Sequence, residues 1–587
     1  MPSSRAAFTL LALLAGASLA AQTNPVPSGG ATEVTVTGSR VGAQLRPVSV
    51  ITGTELRTLP VTDTATALSY VAGVDLRERS PFGGQADVNL FGGTFEDVLI
   101  LVDGFPVNDP QTGHHDLELL PPLEAIDRIE VLEGPAAATY GPGAFGGVIQ
   151  IITRRPSRTP SGEASVLRGD YGLTRGGALG QASGLLAAGS LLSTTGFRPD
   201  TEERNGQGFV RALVGPVDLE AGFQDKRFGA WQAYSDAFPD EWEAVRGGFG
   251  RLLWTSGPWQ FVGGFRHKSD HFILDRQYPG WYDAFHSTDG LEGQLTRRLS
   301  LPGGAAIVGI EGARDSIASN FLGHHSRSRA DLFGEGFWQW GRTSLDAGLR
   351  VESLQGTTRG MPQLTLSRAL SAGWSGFLST GRSFRLPSFT ELYSYSPAYA
   401  GNPRLSPETA WETQAGFKGR AGRTALAVSL FYRDGSDLID FVRRAGTTDP
   451  FVARNVQHLE TTGFLAQASG ALGRGFDWIF STTLLTQSTA WPARLESRYA
   501  GDTVRHREVA GLTYRGSRLT ASLFVRAWQR LDQSGHGELD ASLRWNPPGT
   551  SHLGLFAEGR NLTNHPDLNF YGGEGPGRWL WAGVSLR

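Results

Sequence analysis

The sequence predicts a transmembrane β-barrel preceded by a small α+β domain, and three observations support this. The chain begins with a segment typical of an exported protein. No later apolar run reaches the ~18 residues of a membrane-spanning helix. From about Ser161 to the end, short segments with alternating apolar and polar residues follow one another, separated by Gly, Pro, Asn and Asp.

The N-terminus is predicted to be a signal peptide covering residues 1–21. Arg5 precedes an apolar run from Ala6 to Leu19, and the small residues Ala20 and Ala21 follow. A basic start, a short apolar stretch and small residues at its end are typical of a secretory signal. The run is too short to cross ~30 Å of hydrocarbon as a helix. We therefore expect the mature chain to leave the cytoplasm.

Composition excludes several functional classes. The formal net charge is -3, from 54 basic and 57 acidic residues, which excludes a nucleic-acid binder held mainly by phosphate contacts. The absence of Cys excludes disulfides, thiolate metal sites and a Cys nucleophile. The chain carries no HExxH, GxSxG or P-loop motif, so we expect no enzymatic activity.

The first domain after the signal contains two candidate strands. Val98–Val102 is a continuous apolar run, as expected of a strand buried on both faces, and Val148–Ile152 is a second strand candidate. Between them, Leu119–Val131 carries carboxylates and a pair of prolines. This mixture predicts a small α+β domain between about Ala31 and Arg155.

The longer C-terminal part has the period of half-buried strands. Leu345–Glu352 and His552–Arg560 place apolar side chains on one face and mostly polar ones on the other. Repeated over the whole region, this pattern requires an apolar environment on one face of the sheet and an aqueous one on the other. A transmembrane barrel provides both. The 15 Trp, 13 Tyr and 32 Phe would serve interfacial girdles. The pattern alone leaves open a soluble β-propeller or sandwich array.

The N-terminal domain carries three long sequence motifs. Ala67–Val74 has a helix-like stretch and a "PGV"-like turn, with Ala72 in place of Pro. Val98–Val107 contains a "VLIDG"-like strand. Ile126–Gly134, "IDRIEVLEG", continues through Tyr140 into the glycine-rich run that ends at Thr153. Together these motifs resemble the plug of TonB-dependent outer-membrane transporters.

The barrel region carries further motifs of the same family. They are the stretch Gly381–Tyr393, then Gly401–Pro403 with Glu408 and Glu412, and Asn561–Asn564 with Pro576–Arg578. Besides Ala72, two regions depart from the family: Asn89–Gly93 lacks its usual Arg, and the chain ends Ser585-Leu586-Arg587 instead of on an aromatic residue.

The resemblance implies a compact, cobalamin-receptor-like or siderophore-receptor-like member in the outer membrane. It implies a 22-stranded antiparallel barrel that encloses an α+β plug. The expected domains are the signal at 1–21, a periplasmic segment at 22–38, the plug at 39–156 and the barrel at 157–587.

The resemblance also identifies an expected energy-coupling segment, the TonB box. It consists of Thr32, Glu33, Val34, Thr35, Val36 and Thr37. Its β-branched residues suit an extended strand that pairs with periplasmic TonB by main-chain hydrogen bonds. The expected partners are therefore TonB with ExbB–ExbD, together with outer-membrane lipid.

The function implied is active uptake of a large scarce nutrient, either a corrinoid such as cobalamin or a ferric siderophore. The alternative is a plugged passive channel or a surface-binding protein without energy coupling. We expect a monomer that needs no cofactor.

Candidate substrate contacts lie on one plug loop and two barrel loops. They are Asn108, Asp109, Gln111, His114 and His115 on a plug loop expected to be exposed, and Trp231, Tyr234, Trp281 and Tyr282 on the barrel. Asp236, Asp240 and Glu241 are candidate Ca²⁺ ligands, because Ca²⁺ takes several oxygen ligands. For the two histidines the alternative is that adjacent side chains in an extended segment point opposite ways, which leaves one of them structural.

Overall fold

The computed structural model describes residues 40–587, apart from residues 43, 81–82, 235–236, 355, 397, 490–493, 500–502, 532, 551 and 569–573. The predicted signal peptide and the predicted TonB box at 32–37 lie outside the described residues. Within the described part of the chain, no helix has both the length and the apolar character needed to cross a membrane.

The N-terminal domain is built on a five-stranded sheet with the order β1-β6-β7-β4-β5, and a separate hairpin pairs β2 with β3. Its strands are β1 Val48–Thr52, β2 Val74–Ser80, β3 Gln85–Leu90, β4 Val98–Val102, β5 Phe105–Pro106, β6 Ile126–Glu133 and β7 Gly147–Thr153. Its α-helices are single turns, namely α1 Gly53–Leu56, α2 Thr64–Ala67 and α3 Ala137–Tyr140.

Strand β4 is an inner strand of this sheet, between β7 and β5, and it is fully buried as its apolar run predicts. All five of its residues are buried, and it pairs in parallel with β7, so that Ile100 lies opposite Ile149. A turn with positive φ at Asp103 and Gly104 then leads into β5. Glycine enters this conformation at little cost, and Asp tolerates it better than most residues do.

The C-terminal part is a closed antiparallel barrel of 22 strands. These strands, with two short inserted strands (β21 and β26), are β8 Ser161–Gly169, β9 Thr174–Ala182, β10 Leu185–Thr194, β11 Glu203–Val214, β12 Val217–Gly229, β13 Trp242–Ser256, β14 Trp259–Ile273, β15 Asp283–Leu301, β16 Gly304–Ser319, β17 Gly323–Trp340, β18 Thr343–Leu354, β19 Thr357–Ser371, β20 Trp374–Arg385, β21 Tyr399–Ala400, β22 Glu408–Ala421, β23 Thr424–Arg444, β24 Phe451–Gly473, β25 Phe476–Thr489, β26 Leu495–Ser497, β27 Val504–Arg515, β28 Leu519–Arg530, β29 His536–Trp545, β30 Leu553–Arg560 and β31 Trp579–Leu586.

The last strand closes the barrel on the first. β31 pairs with β8, and Leu586 lies opposite Ala164. The prediction of a closing strand at the non-aromatic C-terminus is therefore confirmed. Closure leaves no unpaired strand edge, which in lipid would cost several kcal/mol per unsatisfied backbone group.

The barrel is polar inside and apolar outside. On β18, Asp346, Arg350 and Glu352 are buried in the lumen, whereas the apolar Leu349 is 50% exposed on the outer face. The alternation predicted from Leu345–Glu352 is thus confirmed, with the charged face pointing inward. A lipid-facing apolar surface around a polar lumen is the arrangement of an outer-membrane barrel.

The two ends of the barrel differ in the length of their connections. One end has tight turns, such as Ser183–Gly184 and Gly257–Pro258. The other end carries the long connections 195–202, 230–241, 274–282, 386–407 and 490–503; α4, Phe389–Tyr393, lies in 386–407. Because outer-membrane barrels have short periplasmic turns and longer extracellular loops, we assign the long connections to the outside.

Candidate functional site at the outer end of the plug

The plug loop that carries the candidate substrate contacts is largely buried, so the expectation of an exposed loop is wrong. Asn108 stabilises the loop from within: its Oδ1 accepts from the Ile100 amide at 2.7 Å, and its Nδ2 donates to the Val98 carbonyl at 2.8 Å. The same amide group donates to Asp116 Oδ2 at 2.6 Å. Asn108 therefore fixes the loop on β4.

Asp109 and Gln111 face the barrel wall. Asp109 Oδ2 lies 2.9 Å from Lys268 Nζ on β14 and accepts a hydrogen bond from the Thr288 hydroxyl on β15 at 3.1 Å. Gln111 Nε2 donates to Asp270 Oδ2 at 3.3 Å. These two candidate contacts thus anchor the plug to the wall.

The adjacent histidines point to different partners. They lie in a 3-10 turn, Gly113–His115. His114 stacks on Phe95 with ring centroids 4.0 Å apart, and its Nδ1 is 2.8 Å from Asp87 Oδ1. His115 instead faces the barrel, with Nε2 3.3 Å from Glu243 Oε1 on β13. Burial lowers the pKa of His115 well below its ordinary value, so its imidazole is neutral at pH 7.

An extracellular loop covers this part of the plug, which is the physical reason for its burial. The amides of Phe389 and Thr390 in α4 donate to the carbonyls of Pro110 and Gln111, both at 2.9 Å. Ser388 caps α4 and accepts a hydrogen bond from the Glu391 amide at 3.3 Å. Gly381–Tyr393 is recognisable from the sequence as a family motif, but its contact with the plug is not.

The predicted aromatic contacts differ in accessibility. Tyr234 is half-buried. Its hydroxyl lies 2.8 Å from two acceptors, Gln85 Oε1 and Glu243 Oε2, and donates its hydrogen between them. Trp231 packs under the Arg198 guanidinium at 4.0 Å, and Tyr282 stacks on Phe321 with ring centroids 4.1 Å apart.

Trp281 presents an open aromatic surface in the extracellular loop 274–282. It is 60% exposed, and its ring stacks on Tyr278 with centroids 4.7 Å apart. Tyr278 is itself 55% exposed. Tyr278 is not among the contacts predicted from the sequence, although its spacing of three residues from Trp281 is a usable signal. The pair offers a flat apolar platform to a large ligand.

The candidate Ca²⁺ ligands lie only partly within the described residues. Asp236 lies outside them. Asp240 accepts a hydrogen bond from Gln277, and buried Glu241 accepts one from the Tyr234 amide at 2.9 Å. Each of the two described carboxylates thus has a partner within the protein.

Buried cations on many strands tie the plug to the barrel. The cations lie on β11, β12, β14, β18, β23, β27, β28 and β30. Five of them contact plug carboxylates: Arg211 with Asp103, Lys226 with Glu118, Lys268 with Asp109, Arg530 with Asp75, and Arg560 with Glu78. Three donate to plug carbonyl oxygens: Arg350 to Thr139, Arg433 to Gly146, and Arg507 to Ser69. The contacts are distributed around the circumference, so the plug is held on several sides.

Little free space remains between the plug and the wall near this loop. A cavity lined by Asp109, Arg329 and Arg385, among others, measures about 120 Å³. Pockets that hold drug-sized ligands measure ~300–1,000 Å³. A large solute therefore needs a rearrangement of the plug to pass here.

Both domains match known family models. Residues 41–148 match the TonB-dependent Receptor Plug Domain, and residues 153–562 match the TonB dependent receptor-like beta-barrel. The chain belongs to the TonB-dependent receptor family. It is therefore an outer-membrane protein, and membership excludes the soluble propeller or sandwich array.

Solved structures of this receptor's fold include siderophore receptors and a copper transporter. The siderophore receptor PirA from Pseudomonas aeruginosa is 20% identical, with a TM-score of 0.73 over 92% of this chain and 98% of that one. The ferric enterobactin receptor PfeA from the same organism, in complex with BCV-L6, is 19% identical, with a TM-score of 0.73 over 92% and 99%. The copper transporter OprC is 17% identical, with a TM-score of 0.74 over 94% and 99%. At these identities the likeness concerns the fold.

Proposed function

We propose that this receptor actively imports a large metal chelate, a ferric siderophore in the first instance, across the outer membrane. The observation that carries the proposal is the plug inside the closed barrel, held to the wall by buried ion pairs and hydrogen bonds. The names of the siderophore receptors with the same fold support an iron chelate as substrate. A corrinoid is the second substrate class, and the same experiment tests it.

The anchoring of the plug argues for active transport and against a passive channel. Breaking a buried ion pair by removing one partner costs ~3–5 kcal/mol, because a charge is left buried without compensation. When a path through the barrel opens, several of these contacts must either break and be replaced by others or move together with the plug. Thermal motion alone opens such a path rarely, so the work must come from outside the barrel.

The proposed source of work is TonB, acting with ExbB–ExbD on Thr32–Thr37. A pull on this segment would be transmitted to the plug, whose first described strand is β1. In this proposal the receptor works as a monomer in outer-membrane lipid, needs no cofactor and catalyses no reaction. Ca²⁺ binding near Asp240 stays a prediction.

Substrate is proposed to arrive first on the aromatic pair Tyr278–Trp281. The pair lies on the extracellular side and is exposed, whereas Gln111 and His115 are buried and α4 contacts Pro110 and Gln111. Binding at the platform would precede displacement of the loop 386–407 from the plug.

Titration of the purified, detergent-folded receptor tests the substrate. Ferric siderophores of the catecholate and hydroxamate classes, and cobalamin, are added separately while tryptophan fluorescence is followed. We expect saturable, submicromolar binding of a ferric chelate, weakened at least tenfold in Trp281→Ala.

Trp340→Ala is the matched control for this titration. Trp340 is also exposed, at 54%, but it lies at the tight-turn end of β17. We expect its affinity to be unchanged. Binding of cobalamin alone would assign the receptor to corrinoid uptake. If a folded barrel bound neither ferric siderophores nor cobalamin, both substrate assignments would be contradicted.

A further inference from the structure

The barrel wall opposite His115 presents two adjacent buried carboxylates. Glu243 on β13 is 1% exposed and Asp270 on β14 is 4% exposed. Two lysines lie nearby, but Lys268 pairs with Asp109 at 2.9 Å and Lys226 with Glu118 at 2.6 Å. Both nearby lysines thus already have carboxylate partners, and a cation bound between Glu243 and Asp270 would offset the cost of burying their charge.

His115 reaches between these two carboxylates from the plug. Its Nε2 lies 3.3 Å from Glu243 Oε1 and 3.9 Å from Asp270 Oδ2. Donor atoms of all three residues lie within 4.8 Å of one another. Charge-assisted hydrogen bonds are shorter, at ~2.7–2.9 Å. Ligands that bind one tetrahedral Zn²⁺ at ~2.0–2.1 Å are separated by about 3.3–3.4 Å.

Neighbouring side chains hold the two carboxylates in place. The Tyr234 hydroxyl lies 2.8 Å from Glu243 Oε2, which leaves Oε1 facing His115. Gln111 Nε2 donates to Asp270 Oδ2. Hydrogen bonds of this kind orient the ligands of protein metal sites.

A second histidine lies beside the cluster on the next strand. His286 on β15 is directly opposite Asp270 in the strand register, and both side chains are buried in the lumen. Asp270 Oδ1 and His286 Nδ1 are buried without a hydrogen-bond partner among the described residues. Unpartnered buried polar atoms at one place are rare in native proteins and require an explanation. A bound cation would provide one.

We propose that His115, Glu243 and Asp270, with His286 as a fourth donor, bind one divalent transition-metal ion of the Zn²⁺ class. Imidazole and carboxylate donors suit such ions. The ion bridges the plug loop and the strands β13–β15. Because its ligands are buried, it is a resident ion that fastens the plug, not a transported one.

Metal titration of the full-length receptor in detergent, after treatment with a chelator, tests the proposal. Zn²⁺ binding is measured by calorimetry, and Co²⁺ is added as a spectroscopic probe of a tetrahedral site. We expect one ion per chain with submicromolar affinity, and at least 100-fold weaker binding in both His115→Ala and Asp270→Asn. Tyr234→Phe is expected to weaken binding about tenfold through the orientation of Glu243.

His267→Ala is the matched control, because His267 lies on the same strand β14 but is exposed and faces Asp289 at 2.8 Å. We expect its affinity to equal that of the wild type. Folding of each variant is checked by the mobility of the unheated protein on gels. Absence of saturable binding in the folded wild type, or binding retained in both His115→Ala and Asp270→Asn, would overturn the site. Uptake of ⁶⁵Zn²⁺ that requires residues 32–37 would overturn its resident role.

Discussion

Arginine is the principal cation of the barrel interior. The chain has only three lysines, Lys226, Lys268 and Lys418, among its 54 basic residues. The planar guanidinium binds carboxylates through paired hydrogen bonds and keeps its charge when buried. Arg385, which is 4% exposed, makes such bonds to Glu391 at 2.8 and 2.9 Å and to Glu408 at 2.6 and 3.0 Å. It thereby joins α4 to β22 beside the plug.

Removal of the Arg385 side chain is expected to release α4 from the plug. Arg385→Ala leaves Glu391 and Glu408 buried without their cation, which costs about 3–5 kcal/mol. Hydrogen exchange of the amides in 389–394 should accelerate by two to three orders of magnitude. Arg382→Ala, on the other face of the same strand, is the control and should leave the exchange unchanged. Equal protection in Arg385→Ala and wild type would contradict the proposed anchoring.

The side chain of Glu133 makes the stability of the docked plug depend on pH. This β6 side chain accepts hydrogen bonds from Gln414 and Ser429 on the barrel at 2.9 and 3.1 Å, and burial raises its pKa to about 8. The folded state therefore retains a proton that the unfolded plug releases above about pH 4.5. The stability from this proton is complete below that pH and is lost as the pH rises through about 8.

We expect plug stability to fall between about pH 5 and pH 8, with a contribution from Glu133 of at most ~1.4 kcal/mol per pH unit. In Glu133→Gln this contribution disappears. Because the chain has no Cys, a fluorophore on Thr54→Cys in α1 reports plug unfolding in urea. Glu130→Gln, on the same strand and paired with Arg128, is the control and should keep the wild-type slope. An unchanged slope in Glu133→Gln would contradict the assignment.

The plug elements approach the wall closely enough to be locked to it. α3 packs against β18, and a Cβ at Gly348 would lie 3.2 Å from Ala138 Cβ. Disulfides require ~3.5–4.5 Å between Cβ atoms, so a shift of a few tenths of an ångström suffices. The Cys-free background makes such a bond the sole disulfide.

The variant Ala138→Cys with Gly348→Cys is expected to import substrate at least tenfold more slowly when oxidised. The bond would hold α3 against the wall and prevent the rearrangement that opens a path. Reduction should restore uptake, and each single Cys variant should transport normally. Normal uptake by the fully oxidised variant would show that α3 keeps its place on β18 during transport.

At the scale of secondary-structure elements, the strands could be predicted from the sequence, but their tertiary contacts could not. A period of two indicated β18 and β30, and a continuous apolar run indicated β4, because burial on one or two faces constrains residue type locally. The burial of Asp109, Gln111 and His115 could not be predicted. It depends on α4, nearly 300 residues later in the chain, and on strands β13–β15. No local pattern contains such contacts.

At the scale of the whole molecule, the receptor is a closed barrel around a plug, with a charged interior and an apolar exterior. Its family and architecture were predictable because the plug motifs, such as Ile126–Gly134, are long and specific. The substrate was not, because selectivity depends on how loops from distant parts of the chain converge. The open surface at Tyr278–Trp281 emerges only from the assembled fold.

Uptake of the bound chelate into cells tests the central claim of energy-coupled import most directly. Cells producing the wild type or a variant lacking residues 32–37 receive the radiolabelled ligand identified by titration, and surface binding is measured alongside accumulation. We predict equal binding and accumulation reduced at least tenfold in the deletion variant. Accumulation at the wild-type rate without residues 32–37 would contradict active import and identify the protein as a passive channel.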